Sequence, residues 1–138
     1  HLMLILLPPS EKKKSATSSE KFDLSSLVFA AELSDIRNQT IASQDSSQTS
    51  PAIEIYDGVL YQGLNWKTLS AAEQQRANTQ VLIVSAVFGL VKPLNQIFSY
   101  KENSFRIVSA PCFQLLNLIA AMIVRVRNNS NKLATFML

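Results

Sequence analysis

The chain has 138 residues, with 13 Lys plus Arg against 10 Asp plus Glu, and 47% of it is hydrophobic. That is enough apolar material for one globular domain, and it excludes a chain disordered throughout. A single Cys (Cys112) and a single His (His1) leave no internal disulfide, no C-x-x-C pair and no His-based triad or zinc set, and they fit a reducing, cytoplasmic setting.

In chain order, His1-Leu2 ahead of Met3 reads as an expression scar. Met3 to Leu7 is an apolar run that Pro8-Pro9 ends abruptly; it has no preceding positive charge and is too short for a signal-peptide core, so a buried strand is expected. Ser10 to Asp23 is polar and aperiodic, a surface loop. Leu24, Leu27, Val28 and Ala31 follow helical spacing after Asp23, which predicts a capped helix running to about Ser34. Ser43 to Ser50 reads SQDSSQTS, offers no apolar anchor and predicts a flexible internal linker ending at Pro51.

Ile53, Ile55, Val59, Leu60 and Leu64 form the next apolar signal, broken by Asp57-Gly58 and Gly63; a short strand with a turn and a short helix both fit. Ser70-Ala-Ala-Glu73 matches a capping box and predicts a helix from Ala71 to about Asn78. Val81 to Val84 is a β-branched apolar run expected as a central strand, and Gly89 and Pro93 bracket a turn or short helix. Phe113 to Val126 places apolar side chains on nearly all sides of a helix. It is too short to span a membrane and needs cover, either from this domain's own core or from a second copy, which makes a homo-oligomer the expectation. Strands alternating with helices give a mixed α/β class, α/β in a single domain.

Charge is uneven along the chain. Residues 1 to 74 carry six basic and nine acidic side chains, whereas residues 75 to 138 carry seven basic side chains and only Glu102 as an acid. A basic half suits nucleic acid or another anionic surface, and solubility explains it almost as well. Lys12-Lys13-Lys14 can neutralise phosphates, with a solvated loop tip as the plainer reading. Lys92, Lys101 and Arg106 interleave with Phe98, Tyr100 and Phe105, a pattern of charge plus stacking that a core would also produce. Glu54 and Asp57, three positions apart, are a possible acid/base pair or an ordinary turn. Cys112 reads as an inert packed thiol, and no G-x-G-x-x-G or G-K-S/T phosphate loop occurs.

Three collinear blocks carry a family resemblance: Met3-Leu-Ile-Leu-Leu-Pro-Pro-Ser-Glu11, Tyr56-Asp-Gly-Val-Leu-Tyr-Gln-Gly-Leu64 and Val84-Ser-Ala-Val-Phe-Gly-Leu-Val-Lys-Pro93. Together they resemble the YaaA-like peroxide-stress proteins over roughly Met3 to Lys101. The resemblance implies a mixed α/β fold of that family's own, a role in lowering free intracellular iron under peroxide stress, and DNA binding through a positively charged cleft. By position, Lys12-Lys13 stand where the family has Gly-Lys. Ser85-Ala86-Val87-Phe88-Gly89 stand for a turn that resembles a helix-hairpin-helix hairpin, with Ala86 replacing its first glycine. Lys92 is the basic residue before Pro93, and Tyr100-Lys101 replace a Tyr-Arg pair, which loses the bidentate fork of arginine. From Glu102 onward the chain no longer matches, so a shortened domain over residues 3 to 138 is expected.

The implied function is a cytoplasmic, non-catalytic stress-response protein that binds DNA without sequence preference. Its nucleic-acid contacts would be Lys12, Lys13, Lys92, Tyr100 and Lys101, with Tyr100 stacking on a base or packing beneath it, and its turn would comprise Ser85, Ala86, Gly89 and Pro93. No catalytic residue, cofactor, metal site or membrane association is assigned. Two other classes stay open: a small-molecule enzyme with a pocket at Ser10, Glu11, Lys13 and Tyr61, and a shortened interaction module.

Overall fold

A computed structural model describes residues 4–101 and the backbone of a strand at 134–136. Strands β1 (Leu4–Leu7), β3 (Val81–Ser85), β4 (Gly89–Val91) and β6 (Ala134–Phe136) form a four-stranded sheet in the order β4-β3-β1-β6. β1 is parallel to both β3 and β6, and β4 returns antiparallel to β3. A second, two-stranded sheet pairs β2 (Ser50–Pro51) with β5 (Gln96–Ile97). The helices are α1 (Ala30–Ile41), α2 (Ala52–Ile55), α3 (Val59–Leu64) and α4 (Ala71–Gln80). The class is α/β, as the alternation of patterns predicts.

The unbroken apolar run of β1 suits a strand covered on both faces. Leu7 joins a large cluster with Ile83, Val91, Phe88 and Phe98, while Leu6 joins a second with Leu82, Leu90, Leu33 and Ile36. Successive side chains on a strand point to opposite faces, so α1 covers one side and the aromatic core the other. Val81 to Ser85 is the predicted central strand. At Ser70 the capping box forms in full, with the Ser70 hydroxyl accepting from the Glu73 amide and the Glu73 carboxylate accepting from the Ser70 amide, and α4 runs two residues past its expected end. In the segment that sequence left between strand and helix, the chain forms the short helices α2 and α3 on either side of Asp57-Gly58.

Two predicted elements differ. The helix expected from Leu24 is a single 3-10 turn, Leu24–Ser26, capped by Asp23 as expected; the chain then breaks, and α1 starts only at Ala30. Phe29 takes a left-handed φ of 58° there. The break lets Leu27 enter the aromatic cluster while Leu33 and Ile36 enter the other, which one continuous helix could not arrange. Between Gly89 and Pro93 the chain is strand β4 rather than a turn or helix, with Gly89 at φ 82° where it leaves the turn. Within the predicted linker, Thr49 and Ser50 are buried; Thr49 exchanges backbone hydrogen bonds with Ser18, and Ser50 belongs to β2. His1, Phe105, Arg106, Cys112 and the Phe113 to Val126 segment with its oligomer contact lie outside the described residues. Among the described residues no helix is long and apolar enough to cross a membrane.

Candidate functional site

The site stands at the C-terminal ends of the parallel strands β1 and β3, where open α/β sheets commonly place their ligands. After β1, Pro8-Pro9 turn the chain into the 10–18 loop, which docks antiparallel on the segment that follows α2. The Lys14 amide donates to the Ile55 carbonyl (2.8 Å), the Asp57 amide donates to the Lys12 carbonyl (2.9 Å), and Lys13 lies opposite Tyr56. Gly58 fits the crossing closely: a methyl there would come within 2.5 Å of Ser10 Oγ, and the serine side chain would have to move. The predicted surface loop is therefore tied down at its basic end.

Beneath Lys13 lies a buried hydroxyl chain. Tyr56 and Tyr100 meet through their hydroxyls at 2.9 Å, and the Tyr100 hydroxyl lies 3.1 Å from Ser85 Oγ. Ser85 Oγ also accepts from the Val87 and Phe88 amides (3.2 and 3.0 Å). With both of its lone pairs engaged by amides, Ser85 is left to donate to Tyr100, and the Tyr56 and Tyr100 hydroxyls share one hydrogen bond. Burial above all, and then the neighbouring Tyr100, push the Tyr56 phenol well above its ordinary value of 10.0, so it stays neutral. Tyr61 stacks on Tyr56, with ring centroids 5.5 Å apart, and donates to the Pro8 carbonyl; burial raises its phenol too. The Lys13 ammonium sits 4.4 Å from the Tyr100 ring centroid and 5.9 Å from that of Tyr56, a cation over two aromatic faces.

The lysines on either side of Lys13 share one acid. Lys12 and Lys14 each bring Nζ within 3.7 Å of an Asp57 carboxylate oxygen, and both are largely exposed. Lys101, exposed, follows Tyr100 directly. The fold seats Lys13 over Tyr100, with Lys12 beside it in the loop and the exposed Lys101 next to Tyr100 in the chain; Tyr100 is buried, where it packs beneath Lys13 and presents no open face for a base to stack on. Among the described residues no contact joins Lys92 to them. It follows Val91 at the end of the edge strand β4 and is half-buried. Pro93 is with it there, its carbonyl accepting from the Ile53 amide.

The Ser85–Gly89 turn is flanked by strands, not helices, and several of its backbone groups are held by side chains. Ser85 takes the two amides. The carbonyls of Val87, Phe88 and Leu90 accept from Thr40 Oγ1 (2.8 Å), Arg37 Nε (2.8 Å) and Arg37 Nη2 (3.0 Å). Ser85, Val87, Phe88 and Gly89 are buried and Ala86 is half-buried. The Val87 and Phe88 amides are thus taken up within the turn itself. Arg37, fully buried and also donating to the Val28 carbonyl (2.7 Å), is pushed by burial down to about 10 against the pull of Glu32. No signal in the local sequence marks it.

One other reading also changes. Asp57 lies beyond α2 in the arms of the lysines, so Glu54 and Asp57 share no helical face. The Ser10 and Tyr61 hydroxyls of the second sequence reading donate to the carbonyls of Lys12 and Pro8. A cavity of about 410 Å³ opens beside them, lined by Lys14, Tyr56, Asp57, Tyr61, Trp66 and Lys67.

The profile described as "Peroxide stress protein YaaA" matches residues 23–106, which contain the Tyr56 to Leu64 and Val84 to Pro93 blocks and Tyr100. The chain belongs to this family. A UPF0246 protein of Corynebacterium efficiens is 35% identical over 127 residues, covering 72% of this chain and 50% of the relative. A UPF0246 protein of Streptococcus pneumoniae serotype 19F is 30% identical over 87 residues, covering 63% of this chain and 35% of the relative. One of Clostridioides difficile is 33% identical over 52 residues, 38% of this chain and 21% of the relative. The chain thus spans half or less of the length of the curated relatives it matches.

Proposed function

We propose that this YaaA family member acts in the peroxide-stress response by binding DNA without sequence preference, with Lys12, Lys14 and Lys101 neutralising phosphates and Lys13 anchoring the loop. One observation carries the reading. Three consecutive lysines are held by the backbone bonds of Lys12 and Lys14 at the C-terminal ends of the parallel strands β1 and β3, above a buried pair of tyrosines. Cations on a tied loop contact a phosphate backbone at little ordering cost, and contacts to phosphate fix position without reading bases. Lys92, at the other end of β4, is left out of the contact set.

Anisotropy of two unrelated short labelled duplexes against a salt series tests it. Both duplexes should bind alike, with log K falling against log salt by about 0.9 for each phosphate neutralised, and Lys12→Glu with Lys101→Glu should weaken binding at least about tenfold. A slope near zero, or unchanged affinity in the double variant, removes the reading. The cavity beside the loop supports a small-molecule reading instead if binding is absent and an ordered ligand is found against Tyr61 and Trp66.

A further inference from the structure

We propose that Asp57 is an internal counter-anion of the lysine loop, its carboxylate filling the place between Lys12 and Lys14 that a phosphate would take, so that it sets the affinity and salt sensitivity of the site. The inference rests on the DNA-binding reading above.

The geometry separates a fixed anion from movable cations. Asp57 is anchored on both sides of its Cα: its amide donates to the Lys12 carbonyl at 2.9 Å, and its carbonyl accepts from Gln62 Nε2 at 3.0 Å. The next residue, Gly58, is packed against Ser10. Its side chain is only 19% exposed, against 69% for Lys12 and 60% for Lys14. The two contacts, at 3.7 Å each, are longer than the 2.7–2.9 Å of a charge-assisted hydrogen bond. Such exposed pairs are loosely held, so the lysines can swing to an external phosphate while Asp57 stays in place. Every phosphate that engages them must draw them off the carboxylate and then sits beside it. The carboxylate thus opposes binding in proportion to the number of its lysines a ligand recruits.

The experiment compares the full chain with Asp57→Asn and with Asp35→Asn. Asp35 is exposed on α1, away from the loop, and has no ion pair among the described residues, so its variant makes the same change in net charge without touching the pair. Asp57→Asn keeps both backbone hydrogen bonds, and Asp57→Ser serves as a second variant should the first fold poorly. On a duplex at about 0.1 M salt, Asp57→Asn should bind about three- to tenfold tighter than the parent and steepen the salt slope by about 0.9 to 1.8, one or two further phosphates. Asp35→Asn should shift affinity less than about twofold, as expected for a screened, unpaired surface charge. Adding Lys12→Gln and Lys14→Gln to Asp57→Asn should return affinity to the parent's or below. If the parent binds and Asp57→Asn gains no more than Asp35→Asn, or keeps its gain without the two lysines, the counter-anion role falls and DNA binding stands. If neither the parent nor Asp57→Asn binds, both fall.

Discussion

Arg37 and the lysines of the 10–18 loop carry the same charge, and the fold treats them in opposite ways. Arg37 is wholly removed from water and aimed at the carbonyls of Val28, Phe88 and Leu90, none of which can leave. Lys12 and Lys14 remain mostly in solvent and lean on a single carboxylate. A buried cation must be satisfied by fixed dipoles, because the cost of leaving it unsatisfied is high, and that makes it structural. An exposed cation needs no partner to fold and so remains available to a ligand. The planar guanidinium fork suits the first task and the flexible ammonium the second.

The sharpest way to break this contrast is at Arg37. Arg37→Met fills a similar volume but leaves the Phe88, Val28 and Leu90 carbonyls without their donor, and should cost about 3 kcal/mol or more. Arg37→Lys keeps the charge but cannot reach three carbonyls from one ammonium, and should recover only part of the loss. Urea unfolding of the three proteins measures this. A methionine variant within about 0.5 kcal/mol of the parent would show that the clamp is dispensable.

The same contrast explains what the sequence revealed. β1, β3 and the Ser70 capping box are local patterns, complete within a few residues, and each forms where expected. The lysine loop was legible for the same reason. The Tyr56–Tyr100 contact spans 44 positions, and the Arg37 bonds to Phe88 and Leu90 span 51 and 53. Nothing in a short window pairs such groups. Tyr100 could be read only as a base-stacking ring or a packed one, and packing against Phe88 and Tyr56 decided it. Phe29 misled for a related reason: helical spacing held on both sides of it, but the two sides feed different core clusters.

A second test sharpens the comparison through the neutral groups beneath Lys13. Burial raises the folded-state values of Tyr56 and Tyr61 above 10.0. Below about pH 10 these phenols are protonated in folded and unfolded chains alike, and stability from this source is fully present. Above it the unfolded chain loses protons that the folded chain keeps, so stability falls with rising pH, by about 1.4 kcal/mol per unit for each tyrosine held back. Tyr61→Phe removes one such group and should lessen the alkaline slope, at the cost of the hydrogen bond to Pro8. Urea midpoints from about pH 8 to about pH 11 read the slope directly. An unchanged slope in the variant would mean that Tyr61 ionises as freely folded as unfolded.

The smallest expected effect is the most telling one. If the loop lysines are held for a ligand, removing them should leave the fold almost untouched. Lys12→Gln with Lys14→Gln deletes both contacts to Asp57, yet each is an exposed pair at 3.7 Å, and such pairs contribute about 0.2 to 1 kcal/mol. The double variant should therefore unfold within about 1 kcal/mol of the parent, and the difference should shrink further in high salt as the charges are screened. Asp57 keeps its backbone bonds in that variant, and Lys13 keeps its seat over Tyr100, so the loop remains docked. A loss approaching that of Arg37→Met would place Lys12 and Lys14 with Arg37 as structural cations, and the division of labour between the buried and the exposed charges would disappear.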